Sequence, residues 1–468
     1  MSRPELRPYQ LDTLDRLRRS YATGHRWPLL AAPTGSGKTV MFAEVVDGAT
    51  SKGNPVLVVV HRRELIHQAA AKLTWAGLAH GIIAAGFDPD PTQPVQLGSV
   101  QTLVRRAGPP DVALLIFDEA HHARARSWQL LIERHPSAWR LGVTATPARL
   151  DGKGLGAQTG GPFDDLVLGP TTAELIAQGF LSPVRCFAPA RRLDLSKVRV
   201  RHGDYAEDDL ELVVNTDAIT GDAVKEYRER ADHAPAIVFC CTIHHAETVA
   251  GAFRTAGYRA AMVCGTTPKA ERDTLIAGLG DGSIEVLTNC TLIDEGVDIP
   301  AVGAVSLLRP TKSLVLHRQQ IGRGMRPAAG KSALIVNDHV GNVITHGLPE
   351  AEPVWTLAGV ERSATAWNAP VWTCPECSAL NPLSTRICTA CSYQKPALPP
   401  RILPSPQAGV LAEVTAERLA RARTMTYRQM LQSRLTEAEL RAFAQANGYK
   451  SGWVFHRLRE QAAGGDPW

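Results

Sequence analysis

Ala32-Pro-Thr-Gly-Ser-Gly-Lys-Thr39 combines small, flexible and charged residues in the order that a phosphate group requires. Gly35 and Gly37 let successive backbone N–H groups turn toward one anion. Lys38 reaches the β- and γ-phosphates of a nucleotide, and the Thr39 hydroxyl ligates Mg²⁺. The apolar run PLLAAP precedes the loop and the helical run VMFAEVV follows it, the context in which such loops work. A glycine-rich turn without nucleotide is the competing reading, and that context weighs against it. Further on, Ile116-Phe-Asp-Glu-Ala-His121 ends an apolar strand in two acids, at the sheet edge where ligands of open α/β sheets bind. Asp118 would hold Mg²⁺ directly or through water, and Glu119 would polarise the attacking water. Alone, the acidic pair could simply cap a helix. Beside a phosphate loop it reads as the second half of a nucleotide site.

A third group is separate. Cys374, Cys377, Cys388 and Cys391 form two C-x₂-C pairs with ten residues between them, a spacing suited to tetrahedral Zn²⁺. Four thiolates leave no open position, so the site is structural. Too few apolar residues surround it for a metal-free core, so the metal supplies folding energy. Trp372, Ile387 and Tyr393 are its candidate apolar cover. Iron in the same geometry and unliganded thiols stay open as alternatives. His121, His122, His244 and His245 do not suggest a second metal site, because His121 belongs to the acidic motif.

The 468 residues need two or three domains, and 44% hydrophobic with 21% charged content describes a soluble globular chain. A formal charge of +5 permits a polyanionic partner without demanding one. The five other cysteines are scattered in apolar surroundings, which suits a reduced cytoplasmic protein. The start, MSRPELRPYQ, has no secretory apolar region, and no run is long enough to cross a bilayer. No membrane association is expected.

Stepping along the chain, the strands PLLAAP, PVLVVVH, VQLGSVQTL, VALLIFDEAH and RLGVTAT alternate with helical stretches, and several are nearly all apolar. A second set (AIVFCCT, RAAMVCG, IEVLTN, AVGAVSLL, SALIVND) begins near Ala234. The expected fold class is α/β, with two tandem doubly wound parallel-sheet domains, a Cys₄ knuckle and a helical C-terminal module. The expected boundaries are 1–180 for the first domain, 181–233 for a connecting segment and 234–345 for the second domain. Residues 346–394 hold the linker and cysteines, 395–412 a proline-rich tether and 413–468 the helical module. There, Thr436 and Glu439 form a capping box for a helix that stops at Asn447-Gly448. Lys450, Trp453, His456, Arg457 and Arg459 mix basic and aromatic character, suited equally to nucleic acid or to a solvated helix pair.

The two nucleotide motifs, with others in order between about residues 5 and 340, resemble superfamily 2 helicases and translocases, whose two motor domains are RecA-like. LRPYQ (6–10) is similar to their adenine-recognising element, implying that Gln10 reads the base and Arg7 supports it. The cofactor-binding set implied is therefore Arg7, Gln10, Pro33, Thr34, Gly35, Ser36, Gly37, Lys38, Thr39 and Asp118. VVVHRRELIHQ (58–68) resembles motif Ia and GSVQTL (98–103) motif Ib, implicating Arg62 and Thr102 in nucleic-acid contacts. Thr144-Ala-Thr146 matches motif III, which couples hydrolysis to nucleic-acid binding, and FCCTIHHAE resembles motif IV. LTNCTLIDEGVDIP resembles motif V, implying that Thr288 touches nucleic acid while Glu295, Gly296 and Asp298 face the nucleotide cleft. Gln319-Gln-Ile-Gly-Arg-Gly-Met-Arg326 resembles motif VI, adding Gln319, Arg323 and Arg326 to the catalytic set. Arginine there supplies fixed positive charge across the cleft, an effect worth roughly 10³–10⁵ in rate where measured.

HRREL, GVTATPARLDGKGLG, GTTPKAERD, LLRPTKS and QQIGRGMRP most resemble the RadD group of bacterial and phage helicase-like ATPases. The resemblance implies a nucleic-acid-dependent ATPase using ATP, Mg²⁺ and Zn²⁺ to translocate on or remodel DNA, single-stranded or branched, in repair or recombination. Repair-protein partners would meet the zinc segment or C-terminal module, and a monomer is expected. An RNA helicase, or an ATP-switched clamp that does not unwind, remains as the alternative.

Overall fold

The computed structural model describes residues 5–462 apart from 62–63, 107, 109, 150–151, 190–192, 194, 196, 202–203, 294–301, 362–370, 378, 383–384, 396–415 and 434. Two compact units result, Met1–Pro396 and Ala397–Trp468.

The first sheet contains β1 (Pro28–Ala31), β2 (Val56–Val60), β3 (Gly81–Ile83), β4 (Val95–Ser99), β5 (Leu114–Asp118), β6 (Trp139–Thr144) and β7 (Asp165–Leu168). Their order is β3-β4-β2-β5-β6-β1-β7, with every pairing parallel. Parallel strands need crossovers, here α2 (Lys38–Thr50), α3 (Glu64–Trp75), α4 (Val100–Arg105) and α5 (Arg126–Arg134) with the intervening loops, while α1 (Pro8–Ala22) precedes β1. All five residues of β2 are buried because both faces are covered: Val56, Val58 and Val60 join one core, Leu57 and Val59 the other. The run VQLGSVQTL is not one strand. Ser99 ends β4 and its hydroxyl accepts from Thr102 N, capping α4.

The second sheet comprises β8 (Val184–Phe187), β11 (Ala236–Phe239), β12 (Ala260–Val263), β13 (Val286–Asn289), β14 (Ala304–Leu307) and β15 (Leu334–Asp338). It is also parallel, in the order β12-β13-β11-β14-β15-β8. A two-stranded ribbon, β9 (Val200–Arg201) with β10 (Asp204–Tyr205), lies between β8 and β11 in the chain. Helices α6 (Thr172–Ala177), α7 (Glu207–Val214), α8 (Asp217–Ala231), α9 (Ile243–Thr255), α10 (Lys269–Asp281), α11 (Leu314–Gly322) and α12 (Asn342–His346) complete the region. The stretch LSPVRCFAPA, within the expected connector, supplies β8 as an edge strand beside β15, and Ala223, Val224 and Tyr227 of α8 enter the second domain's core.

After α12 the chain crosses back to the first domain. The hairpin β16 (Val354–Thr356) and β17 (Gly359–Glu361) sets its turn against the loop that follows β6. Gly154 N donates to Ala358 O at 3.1 Å and Gly156 N to Leu357 O at 2.8 Å. A Cβ at Gly154 would lie 2.0 Å from Leu357 O, so only glycine allows this approach. Leu357 packs into the first domain's core with Leu155 and Phe163. Glu352 pins the crossing: it accepts from Thr172 N and Oγ1 and pairs with Arg318 at 3.0 Å.

The cysteine knuckle carries β18 (Val371–Thr373) and β19 (Leu380–Pro382) and docks on the edge of the second sheet. Ala379 bridges Phe187 of β8, and Arg185 donates to Ala390 O at 3.1 Å. In the second unit, α13 (Ala416–Thr424), α14 (Tyr427–Leu431), α15 (Glu437–Ala446) and α16 (Ser451–Ala462) enclose their own small core of Met430, Leu435, Leu440, Phe443 and Val454. Thr436 and Glu439 make the predicted capping box at α15. Among the described residues no helix is long and apolar enough to cross a membrane.

Candidate nucleotide site and cysteine cluster

The registers bring the motifs to one edge. Ala31 pairs with Thr144 and Asp118 with Val143, so the loops after β1, β5 and β6 open together at the carboxyl ends of their strands. Gly35 and Gly37 both adopt left-handed φ, 86° and 78°. At Gly37 a Cβ would stand 2.4 Å from Gln10 Nε2. The loop is thereby held from below: Gln10 Nε2 and Tyr9 OH both donate to Ser36 O, at 3.2 and 2.9 Å. Gln10 Oε1 in turn accepts from Arg7 N. Gln10, expected to read the base, thus spends its amide on the phosphate loop, while Arg7 lies over the Phe180 ring at 4.3 Å and lines the cavity.

The cavity measures about 500 Å³ and takes walls from both domains. The first domain gives Thr34, Gly35, Gly37, Lys38, Thr39, Asp118 and Glu119; the second gives Gln319, Arg323 and Arg326. Ser36 is fully buried behind the loop, and Pro33 faces a smaller neighbouring cleft. Lys38 Nζ donates to Ala32 O and Pro33 O at 3.0 and 3.1 Å. Burial lowers its pKa to about 8, against the raising effect of Glu119 and Asp118. Burial and the charge of Glu119 push Asp118 up to about 6, although Lys72 and Lys38 pull it down. Glu119 sits at φ 53°, a strained backbone for a residue with a side chain, in the wall of the cavity. Its carboxylate lies 3.4 Å from His121 Nδ1, which is 3.3 Å from the Thr144 hydroxyl. Thr144 Oγ1 donates to Thr146 O, so the Thr144–Thr146 stretch reaches Glu119 through His121.

From the second domain, Gln319 is buried, and among the described residues neither of its amide atoms has a hydrogen-bond partner, leaving donor and acceptor for a ligand or water. Burial lowers the pKa of Arg326. Gly322 approaches the phosphate loop so closely that a Cβ would lie 2.8 Å from Thr34 Cβ, which seats α11 directly on it.

Two features were not read from the sequence. Lys72 of α3 lines the cavity, its Nζ 3.5 Å from Thr39 Oγ1. Burial lowers its pKa, opposed by Asp118 and reinforced by Arg326 and Arg323. The available signal was helical spacing: Gln68 and Lys72 lie four apart and both face the cavity. Second, His61 stacks on His122 with centroids 3.9 Å apart and 14° between planes, and Gln101 Nε2 donates to His61 O at 2.9 Å. The stretches resembling motifs Ia and Ib therefore touch each other and the residue that follows the acidic motif.

Of the expected nucleic-acid contacts, Thr102 is half-buried on α4 and hydrogen-bonded to Ser99. Thr288 lies in the second sheet with its side chain fully buried, and its hydroxyl donates to Ala246 O at 2.8 Å. Arg62, Glu295, Gly296 and Asp298 lie outside the described residues.

The cysteine sulfurs all fall within 4.8 Å of one another, with Cys374–Cys391 and Cys377–Cys388 at 3.6 Å. Thiolates at about 2.3 Å from one tetrahedral ion would stand roughly 3.8 Å apart, so the four fit zinc. Asn381 Nδ2 and Ala390 N donate toward Cys388 Sγ, the outer-shell support such a site needs. Trp372 is buried and Tyr393 packs beside it, as the cover requires. Ile387 is 56% exposed and does not join them.

Two α/β domains share one phosphate-loop cavity, with acids on one wall and arginines on the other, an arrangement suited to binding a nucleoside triphosphate between them. A family described as the res subunit of type III restriction enzymes matches residues 3–149, and the helicase conserved C-terminal domain matches residues 219–328. The chain is 35% identical over 369 residues to a 51.5 kDa protein of a Lactococcus phage, covering 78% of this chain and 77% of that one. It is 31% identical to the helicase-type protein IRC3 of Saccharomyces cerevisiae over 73% of this chain, but spans only 52% of the yeast protein. A solved fragment of an HsdR-type subunit of a type I restriction enzyme from Vibrio vulnificus YJ016 shares the fold, with TM-score 0.58 and 23% identity over 73% of this chain and 65% of that one. The chain belongs to the superfamily 2 helicases. ATP and Mg²⁺ use follow from that membership.

Proposed function

We propose that the chain is a DNA-dependent ATPase of RadD-like type that couples ATP hydrolysis to translocation on, or remodelling of, DNA during repair or recombination. The observation that carries it is the shared cavity: Lys38, Asp118 and Glu119 on one domain face Gln319, Arg323 and Arg326 on the other. Lys38 holds the β- and γ-phosphates, and Thr39 with Asp118 would hold Mg²⁺, whose charge offsets that of the phosphate oxygens. Glu119, aimed by its left-handed backbone and by His121, orients a water and accepts its proton. The water oxygen bonds to the γ-phosphorus as the bond to the β–γ bridging oxygen breaks, and ADP leaves. Arg323 and Arg326 stabilise the charge on the transferring group, so turnover requires the two domains to close. DNA as the ligand is supported by the restriction-enzyme names of the matched family and of the HsdR-type neighbour. Zinc at the four cysteines holds the knuckle that extends the second sheet, a platform for DNA or a repair protein.

ATPase assays with single-stranded, duplex and forked DNA and with RNA test this directly. Stimulation by DNA, strongest with single-stranded or forked forms, is expected. Stimulation by RNA alone would move the assignment to an RNA motor, and stimulation by neither would overturn nucleic-acid dependence.

A further inference from the structure

The C-terminal helices present a ladder of rings that begins in their core and ends in solvent. Buried Phe443 lies 5.7 Å from Trp453, and Trp453 stacks on Tyr449 at 4.7 Å with 11° between planes. Tyr427 follows at 6.4 Å from Tyr449. The last two rungs are 46% and 40% exposed for Tyr427 and Tyr449, while the aliphatic residues Met430, Leu435, Leu440 and Val454 are all buried. Gly448, at φ 71°, ends α15 and turns Tyr449 and Lys450 outward.

Charge decides what such a ladder fits. Among the described side chains of this module, each acid is already engaged. Glu437 pairs with Arg441, Glu460 with Arg457, and Glu439 closes the capping box of α15. Arg421, Arg423, Arg428 and Lys450 are exposed and form no ion pair among the described residues. Two of these cations, Arg428 and Lys450, directly follow Tyr427 and Tyr449 in the chain. A ligand with flat apolar rings on a polyanionic backbone meets both demands at once. A purely apolar partner would leave the cations uncompensated, and a simple anion would leave the rings uncovered.

We propose that this face of the C-terminal module is a second binding site for single-stranded nucleic acid, with bases stacking on Tyr449 and Tyr427 and phosphates paired to Arg428 and Lys450. The site deepens the function proposed above by adding a contact to the same ligand class outside the motor cavity. It lets the protein keep hold of a strand while the motor domains open.

The test uses the full chain, a fluorescent oligo-dT and its 5-iodouracil analogue for photocrosslinking. Tyr449→Leu should weaken oligo-dT binding about tenfold while leaving basal ATP hydrolysis unchanged. The exposed double variant Arg428→Gln/Lys450→Gln, which cannot disturb the core, should lower the slope of log K against log salt by about 1.4. Crosslinks should map to Tyr427 or Tyr449. Crosslinks confined to residues 5–395 with unchanged affinity in both variants would overturn the site while leaving the motor assignment intact. Crosslinks at Tyr449 without any ATPase stimulation would support the site and count against the motor's nucleic-acid dependence. Loss in the variants of binding to an oligo-glutamate peptide, but not to oligo-dT, would assign the face to an acidic protein segment and overturn the proposal.

Discussion

The ammonium of Lys72 stands 3.5 Å from the hydroxyl of Thr39, on the side of the cavity that Asp118 also faces. A positive charge, which burial opposes and Asp118 favours, therefore sits beside the two groups proposed to hold Mg²⁺. Lys72→Met removes that repulsion and one phosphate counter-charge together. The Mg²⁺ concentration for half-maximal turnover should fall roughly fivefold, about 1 kcal/mol, while KM for ATP rises. An Mg²⁺ titration at saturating ATP checks it, and an unchanged midpoint would contradict the reading.

The cavity's titration sets a pH window. Asp118 is held at about 6, above its ordinary value, so its carboxylate form is lost as pH falls through 6. Lys38 is held at about 8, below its ordinary value, so its ammonium form is lost as pH rises through 8. Both charged forms are needed, and kcat/KM should trace a bell between those limits. Bound nucleotide stabilises the Lys38 charge, so kcat should fall less than kcat/KM on the alkaline side. A flat kcat/KM profile from pH 5 to 9 would exclude this pair as the controlling groups.

Lys38→Ala and Arg326→Ala should each abolish nucleic-acid-stimulated hydrolysis with the fold intact. For the arginine the expected loss is about 10³-fold or more. Wild-type-like turnover in either purified variant would sink the site assignment.

The His61–His122 stack, continued by His122 against His121, connects the candidate nucleic-acid loops to Glu119. His61→Ala should keep basal hydrolysis and oligonucleotide affinity but lose most of the stimulation. His61→Phe, which preserves a ring, should restore it. Equal stimulation in all three proteins would show that the stack carries no signal.

Cys374→Ser leaves three thiolates for one ion. Metal content should fall from about one zinc per chain, and limited proteolysis should cut within the knuckle while basal hydrolysis persists. Complete loss of basal hydrolysis in a folded protein would contradict this division of labour.

Much of this was legible because the chemistry is local in sequence. The phosphate loop, the acids of β5 and the cysteine pairs each lie within a few residues, and nearly unbroken apolar runs marked the buried strands. What was missed depends on distant partners. β8 pairs with β15 across about 150 residues, so LSPVRCFAPA reads as a connector until its neighbour is placed. Gly154 looks like one more loop glycine until Leu357 arrives against it. Lys72 acquires a role only when α3 packs beside α2. The motif around Thr288 suggested a nucleic-acid contact, and that its side chain is buried shows only once β13 is placed between β12 and β11.

The returning hairpin has a mechanical consequence. The first domain is linked to the second by the stretch around α6 and again by the crossing that ends at Leu357. A plate attached at one point can swivel in any direction, whereas one attached at two can turn only about the line through both, like a door on its frame. Opening of the cavity in this chain must therefore either keep both attachments or break the hydrogen bonds of Gly154 and Gly156 to the hairpin.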